Sequence, residues 1–280
     1  KLVFFMKIYK SIEQFLNSEI KIDNFIPTMG NLHEGHLSLI DKAKENTGNI
    51  CVSIYVNESQ FNNKKDFDNY PITLDLDIKK LKSKNIEYLL IPNKFDIEKF
   101  SNPFNIDYAP SYLISDLCGK YRPGHFLAVI DIVHRFLQII NPKNIILGEK
   151  DFQQIFCIRE LISISKQETN ITISPTIRNK HGLALSSRNA HLSNEEKILA
   201  NNIYGSLILS KDLFHKGSSI NEITEAVYDF HKNSPIKLEY FTVRDLKTLQ
   251  HTYDGDLIAL IAAYISDIRL IDNIIIRSNA

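Results

Sequence analysis

An excess of charge, a cysteine framework and a bilayer-length apolar run are all missing from this 280-residue chain, and each absence closes a class of function. Its 33 basic side chains meet 33 acidic ones, a formal net charge of zero. A polybasic nucleic-acid binder shows the reverse, so no nucleic-acid partner is expected. Cys51, Cys118 and Cys157 lie 67 and 39 residues apart, which supplies neither a C-x-x-C pair nor a zinc ligand set, so no protein metal site is expected. An odd count without a framework fits a reducing cytoplasm. The longest apolar run, residues 257–265, is far too short to cross a bilayer, so no membrane partner is expected. Repeats and low-complexity tracts are missing too, which removes solenoids and linkers. The first methionine is Met6, and residues 1–5 read as an upstream remnant without functional weight. They are too short for a secretory signal and lack its cleavage site.

What is present is an ordinary globular composition, 44% apolar and 24% charged. The length allows one large domain or two modest ones, either able to bury a real core. Between residues 20 and 175, strand-like runs at 23–27, 49–56, 87–92, 144–147 and 170–175 alternate with helical periodicity at 35–45, 74–84, 124–140 and 151–166. Such alternation predicts βαβ units, hence a Rossmann-like, doubly wound parallel sheet in an α/β domain spanning 1–176. Beyond it, helical stretches at 194–216 and 220–232 precede strand-like runs at 237–244, 257–263 and 268–277. Helices followed by strands predict a smaller α+β domain, 177–280, with an antiparallel sheet. Ligands of doubly wound sheets bind where strands end and helices begin.

Five segments near such junctions carry chemistry. Pro27-Thr28-Met29-Gly30-Asn31-Leu32-His33-Glu34-Gly35-His36 follows the first of these strands and opens a helix, placing two imidazoles beside free N–H groups and a positive dipole end suited to phosphate. Asn57 and Gln60, just past the next strand, offer amides to a hydroxyl or carboxylate of a small substrate. Arg122-Pro123-Gly124-His125-Phe126 puts a fork of donors suited to a carboxylate or phosphate, and an imidazole, at another helix start. Gly148-Glu149-Lys150-Asp151-Phe152-Gln153-Gln154 leaves a strand with Lys150 for phosphate, Asp151 for a ribose or the helix start, and Gln154 facing the same cleft. At the domain boundary, Thr176-Ile177-Arg178 precedes Gly182-Leu183-Ala184-Leu185-Ser186-Ser187-Arg188-Asn189, hydroxyls and an arginine able to grip a triphosphate. Neither G-x-x-x-x-G-K-[ST] nor G-x-G-x-x-G occurs, so a P-loop NTPase and an NAD enzyme are not first choices.

Together these segments resemble the pantothenate synthetase (pantoate–beta-alanine ligase) family, from about Phe25 to Asp267-Ile268-Arg269-Leu270-Ile271-Asp272-Asn273. The family patterns P-T-M-G-x-L-H-x-G-H, V-N-x-x-Q-F, R-P-G-H-F, G-E-K-D-[YF]-Q-Q and G-L-A-x-S-S-R-N appear in order. The resemblance implies a two-step reaction. Pantoate and ATP, with Mg2+, give pantoyl adenylate and pyrophosphate, and beta-alanine then displaces AMP. It implies that Met29, Gly30, Asn31, Leu32, His33, Glu34, Gly35, His36, Gly148, Glu149, Lys150, Asp151, Ile177, Leu185, Ser186, Ser187 and Arg188 bind ATP. Gln60 and Gln154 would hold pantoate, Gln60 lying also near beta-alanine, with Asn57, Arg122 and His125 in support. His36, His33, Lys150, Ser187 and Arg188 would neutralise charge at the phosphates during an in-line attack that needs no side-chain nucleophile. The absence of a G-x-S-x-G elbow agrees. The family is commonly a homodimer, and the smaller domain looks like a lid over ATP.

Several residues depart from the family pattern: Glu58, Ala128, Asp131, Asn179, His181 and Leu185 stand where proline, glycine, threonine, two acidic residues and methionine are more usual. Glu58 alters the loop before Gln60 and is expected to weaken pantoate affinity. Two other readings compete: an adenylyltransferase acting on another small acid or a nucleotide, and a non-catalytic nucleotide-binding regulator. Zero net charge and short length disfavour a tRNA synthetase.

Overall fold

The computed structural model describes residues 5–277. By its internal contacts the chain divides between Pro175 and Thr176 into two compact units. The first is built on six parallel strands, β1 (Lys7–Tyr9), β2 (Asn24–Thr28), β3 (Ile50–Ile54), β4 (Tyr88–Leu90), β5 (Asn144–Gly148) and β6 (Asn170–Ser174), in the spatial order β1-β4-β3-β2-β5-β6. Helix α1 (Glu34–Ala43) leaves β2, α2 (Leu74–Ser83) leads into β4, α3 (His125–Ile140) leads into β5 and α4 (Phe152–Ile164) leads into β6. This is the Rossmann-like sheet that the alternating rhythm predicts. Strand β3 is buried at all five positions, and β2 at four, as strands covered on both faces must be.

Edge strand β1 and the short helices Ile12–Leu16, Lys64–Asp68 and Lys94–Phe100 were not expected from periodicity. Elements of three to seven residues complete too few turns or alternations to show a period. The expected strand 49–56 stops at Ile54, because the chain then turns into a 3-10 segment, Glu58–Gln60.

Strand order reverses between β2 and β5, and here the pairing is brief. β2 matches β3 along its whole length but meets β5 only at Asn24 and Phe25. Asn24 donates its N–H to Asn49 on the β3 side, so alternation turns the nitrogen of Pro27 towards β5. Proline has no N–H to give there, and the ladder cannot extend. β5 meanwhile continues to Gly148, paired with β6. The sheet therefore opens at the carboxyl ends of β2 and β5.

The second unit carries the antiparallel sheet β7 (Lys237–Asp245), β8 (Leu257–Ile265), β9 (Ile268–Arg277), in that order. Helices α5 (Asn194–His215) and α6 (Ile220–His231) supply Ala200, Ile203, Leu207, Ile223 and Val227 to its core. The apolar run 257–265 is thus the central strand of a small sheet. Ser193 and Ser219 cap the two helices in boxes closed by Glu196 and Glu222.

Among the buried polar residues of this unit, His231 stands out for its ring. His231 is 5% exposed, and neither ring nitrogen has a hydrogen-bond partner. Burial holds its pKa below the usual value of 6.5. The unfolded chain therefore takes up a proton that the folded chain refuses, so stability present above about pH 6.5 is lost as pH falls below it. The His231→Leu variant should lose less Tm than the parent between pH 7 and pH 5, and equal losses in two thermal melts would refute this account.

Candidate active site

Two loops flank the opening between β2 and β5. The first, residues 29–33, runs from β2 into α1, and its shape is fixed by side chains on both sides. Gly30 has φ +78°, and an added Cβ would stand 3.2 Å from Asp77 Oδ2 and from Ile54 Cγ2. Asn31 is also left-handed, at φ +48°. Asp77, 1% exposed on α2, accepts the N–H groups of Asn31 (2.9 Å) and Leu32 (2.8 Å), while Lys80 Nζ donates to the Leu32 carbonyl (2.5 Å). Thr73 donates to the same carboxylate at 3.2 Å. Leu32, expected to bind ATP, has a buried side chain and both backbone polar groups engaged in holding the loop.

Asp77 and Lys80 were not among the residues expected to matter. Their signal was present: Leu74, Ile78 and Leu81 form the apolar stripe of α2, and an aspartate lies on it. A carboxylate on a buried stripe must find donors, and here they are the N–H groups of a loop.

His33 caps α1, its Nδ1 accepting from Gly35 N at 3.1 Å, and His36 Nδ1 accepts from His33 N at 3.3 Å. The rings lie 4.1 Å apart between centroids. With Nδ1 an acceptor on both, each neutral ring carries its proton on Nε2. Burial, then the nearby Lys150 charge, lowers the His33 pKa to about 4. Burial and the neighbouring His33, Lys150 and Lys80 hold His36 well below its usual value. The pair is therefore two N–H donors and not two cations. Two cations near the pair are Lys150, in the 3-10 turn Glu149–Asp151 after β5 with Asp151 Oδ1 3.6 Å away, and Lys80.

In the loop after β3, two side chains converge on the Gln60 carbonyl. Gln60 O accepts from Arg122 Nη2 (3.1 Å) and His125 Nδ1 (2.8 Å), and Arg122 Nη1 lies 2.9 Å from His125 Nε2. Asn57, 7% exposed, gives its amide to the Ala128 carbonyl at 3.2 Å. Expected to grip substrate, Asn57, Arg122 and His125 are seen holding the loop that presents Gln60. Among the described residues the Gln60 and Gln154 side-chain amides have no hydrogen-bond partner, and both are partly exposed. Gln153 differs sharply. It is buried, accepts from Cys118 N (3.0 Å) and donates to the carbonyls of Leu113 (2.6 Å) and Asp116 (2.8 Å).

In the second unit, Leu185 N donates to the Ile177 carbonyl at 2.9 Å, which pairs the two flanks of the glycine-led loop. Ser186 Oγ accepts from Arg188 N at 3.3 Å and caps the 3-10 turn Ser187–His191.

Comparison with known proteins decides the family. The model of the family described as pantoate-beta-alanine ligase matches residues 6–275. The chain belongs to that family. Similar to it is a pantothenate synthetase of Thermodesulfovibrio yellowstonii, 35% identical over 275 residues, which cover 97% of this chain and 98% of that one. A pantothenate synthetase structure from Thermus thermophilus superposes with a TM-score of 0.90 at 28% identity, covering 97% and 99% of the two chains. A pantoate-beta-alanine ligase from Francisella tularensis, solved with an ATP species and beta-alanine, gives 0.80 at 35% identity over 97% and 98%.

Two departures from the family pattern have a structural account. Asn179 Oδ1 accepts from His181 N (2.9 Å) and Leu183 N (3.0 Å), a turn that an acidic side chain closes equally well. Asp131 accepts from Phe104 N and Arg135 Nε, both at 2.8 Å, and so pins a neighbouring loop. Nothing in the structure explains Glu58.

Two outcomes test this geometry. Nitrogen-detected NMR should show His33 and His36 as neutral Nε2–H tautomers down to about pH 5, and protonation of either near pH 6.5 would contradict the capping arrangement. The adjacent glutamines should separate: Gln153→Ala costs about 2 kcal/mol of stability by orphaning buried partners, whereas Gln154→Ala leaves stability unchanged and raises the KM for the small acid. A reversed pattern, read by denaturant melts and initial rates, would remove Gln154 from the site.

Proposed function

We propose that this chain condenses pantoate with beta-alanine, driven by ATP, through a pantoyl adenylate. The carrying observation is the pair of neutral imidazoles beside Lys150 at the β2–β5 opening of a pantoate-beta-alanine ligase family member. Adenylation needs the pantoate carboxylate brought in line with the α-phosphorus while negative charge shifts towards pyrophosphate. Donors fixed in advance serve that charge best, because they need no rearrangement when it forms. His33 and His36 supply Nε2–H groups, and Lys150 supplies the full positive charge. Met29–His36 and Gly148–Asp151 would cradle the nucleotide, with Ile177, Leu185, Ser186, Ser187 and Arg188 as further contacts, as the motifs of the family suggest. The uncommitted amides of Gln60 and Gln154 would receive pantoate. In the second step beta-alanine attacks the acyl carbon as a neutral amine and AMP leaves.

Magnesium belongs to this reading as the escort of ATP. Among the described residues no group of three or more His, Cys, Asp or Glu could hold a metal ion. A hard cation carried by ATP would keep phosphate and water oxygens and make little demand on the protein. Among the described residues no helix is long and apolar enough to cross a membrane. A cytoplasmic homodimer and a lid role for the second unit complete the proposal, and they rest on the family resemblance.

The alternatives make different predictions. Pyrophosphate exchange into ATP should require pantoate, and AMP should accumulate only when ATP, pantoate and beta-alanine are all supplied. His36→Ala and Lys150→Ala should each lower the exchange rate by about 100-fold or more while the protein stays folded. Exchange driven by another acid would favour the broader adenylyltransferase, and ATP binding without turnover would favour the regulator.

A further inference from the structure

Arg178 belongs to a boundary motif whose charge suits a phosphate ligand, yet its guanidinium is committed within its own unit. Nη1 donates to Asp272 Oδ2 at 2.5 Å and to the Gly182 carbonyl at 3.1 Å. Nη2 donates to Asp272 Oδ1 at 2.9 Å and to the Asn273 carbonyl at 3.1 Å. The carboxylate side chain is 3% exposed, and the guanidinium carbon stands 3.9 Å from the centroid of the Tyr204 ring. Gly182 presses on the same ring: at φ +97°, an added Cβ would come within 2.4 Å of Tyr204 Cδ1. Asn179 closes the turn between them, and Asn189 Nδ2 ties the far side to the Ala184 carbonyl at 3.0 Å.

A Ser-Ser-Arg run in a glycine-led loop ordinarily has many conformations. Here the loop is tied at Arg178, Gly182, Ala184 and Asn189, immediately around Ser186–Arg188. A planar fork bonded to a carboxylate and stacked on an aromatic ring fixes direction as well as distance, which a lysine cannot do. We propose that Arg178 and Asp272 are a positioning pair for the Ser186–Arg188 segment. They hold its backbone in one arrangement, so that Ser187 and Arg188 meet the triphosphate without first being ordered. The proposal rests on the ligase reading, and it makes the pair selective for one half-reaction. Adenylation uses donors on the β- and γ-phosphates, whereas the attack of beta-alanine on pantoyl adenylate has no such phosphates to hold.

The test uses the full chain and the two half-reactions apart. Arg178→Gln and Asp272→Asn should lower pantoate-dependent ATP–pyrophosphate exchange by about 10- to 100-fold and raise the KM for ATP. The rate at which beta-alanine consumes supplied pantoyl adenylate should stay within about 3-fold of the parent. In an Arg188→Ala background, Asp272→Asn should cost clearly less than in the parent, since one of the two groups it positions is already gone. Tyr204→Leu keeps the ion pair, removes the stack and should show a milder loss of the same selectivity, so a failure of the first two variants to fold leaves the question answerable. Unchanged exchange, equal losses in both half-reactions, or fully multiplicative losses with Arg188→Ala would overturn the positioning role. A parent protein without pantoate-dependent exchange would instead overturn the ligase reading itself.

Discussion

The missing N–H of Pro27 is the constraint on which the rest of the first unit turns. Doubly wound sheets bind ligands where strand order reverses, because two adjacent loops diverge there. In this chain the divergence is enforced one residue before the loop begins. β2 remains hydrogen-bonded to β3 through Thr28, and Tyr55 N still bonds to the Thr28 carbonyl. On the other side the ladder ends at Phe25. One imino acid thus keeps the strand anchored on one edge and frees it on the other, where the loops after β2 and β5 diverge.

At that opening, local hydrogen bonding sets the chemistry of the histidines. A helix start normally leaves N–H groups to be capped by a hydroxyl or carboxylate. Here imidazole nitrogens do the capping, and in doing so they fix the tautomer. The same burial and cationic surroundings that keep the rings neutral leave Lys150 and Lys80 to carry the charge. Neutral protein overall and cationic residues locally are therefore compatible, but the charge comes from lysines, and the histidines contribute oriented dipoles.

A second layer supports the groups expected to meet substrate. Asp77 holds the loop after β2, Arg122 and His125 converge on the Gln60 carbonyl, Gln153 ties Cys118 to the Leu113–Asp116 turn, and Arg178 is locked on Asp272. Each is a charged or amide side chain bonded to backbone or to a buried partner. Such residues commit their donors to the protein, and the neighbours they hold, Gln60, Gln154 and Ser187, are those the family motif assigns to substrates. Charge and hydrogen-bonding capacity alone do not separate the two kinds, since the physics that suits a side chain to phosphate also suits it to a carbonyl.

The rhythm of apolar residues made the parallel sheet, the later antiparallel strands and the long helices legible, because periods of two and of 3.6 are properties of contiguous sequence. The order of five motifs likewise carried the family. Strand β1 stayed hidden because three residues make no period, and Asp77 because its partners lie 45 and 46 residues away. The sequence by itself determined which groups are available: two histidines in a helix-start motif, a lysine at a strand end, paired glutamines, an arginine beside a glycine-led loop. Only the tertiary structure decided their duties. Whether a side chain is free for a ligand depends on what stands opposite it, and in Gln153, Arg122 and Arg178 the chain itself stands there.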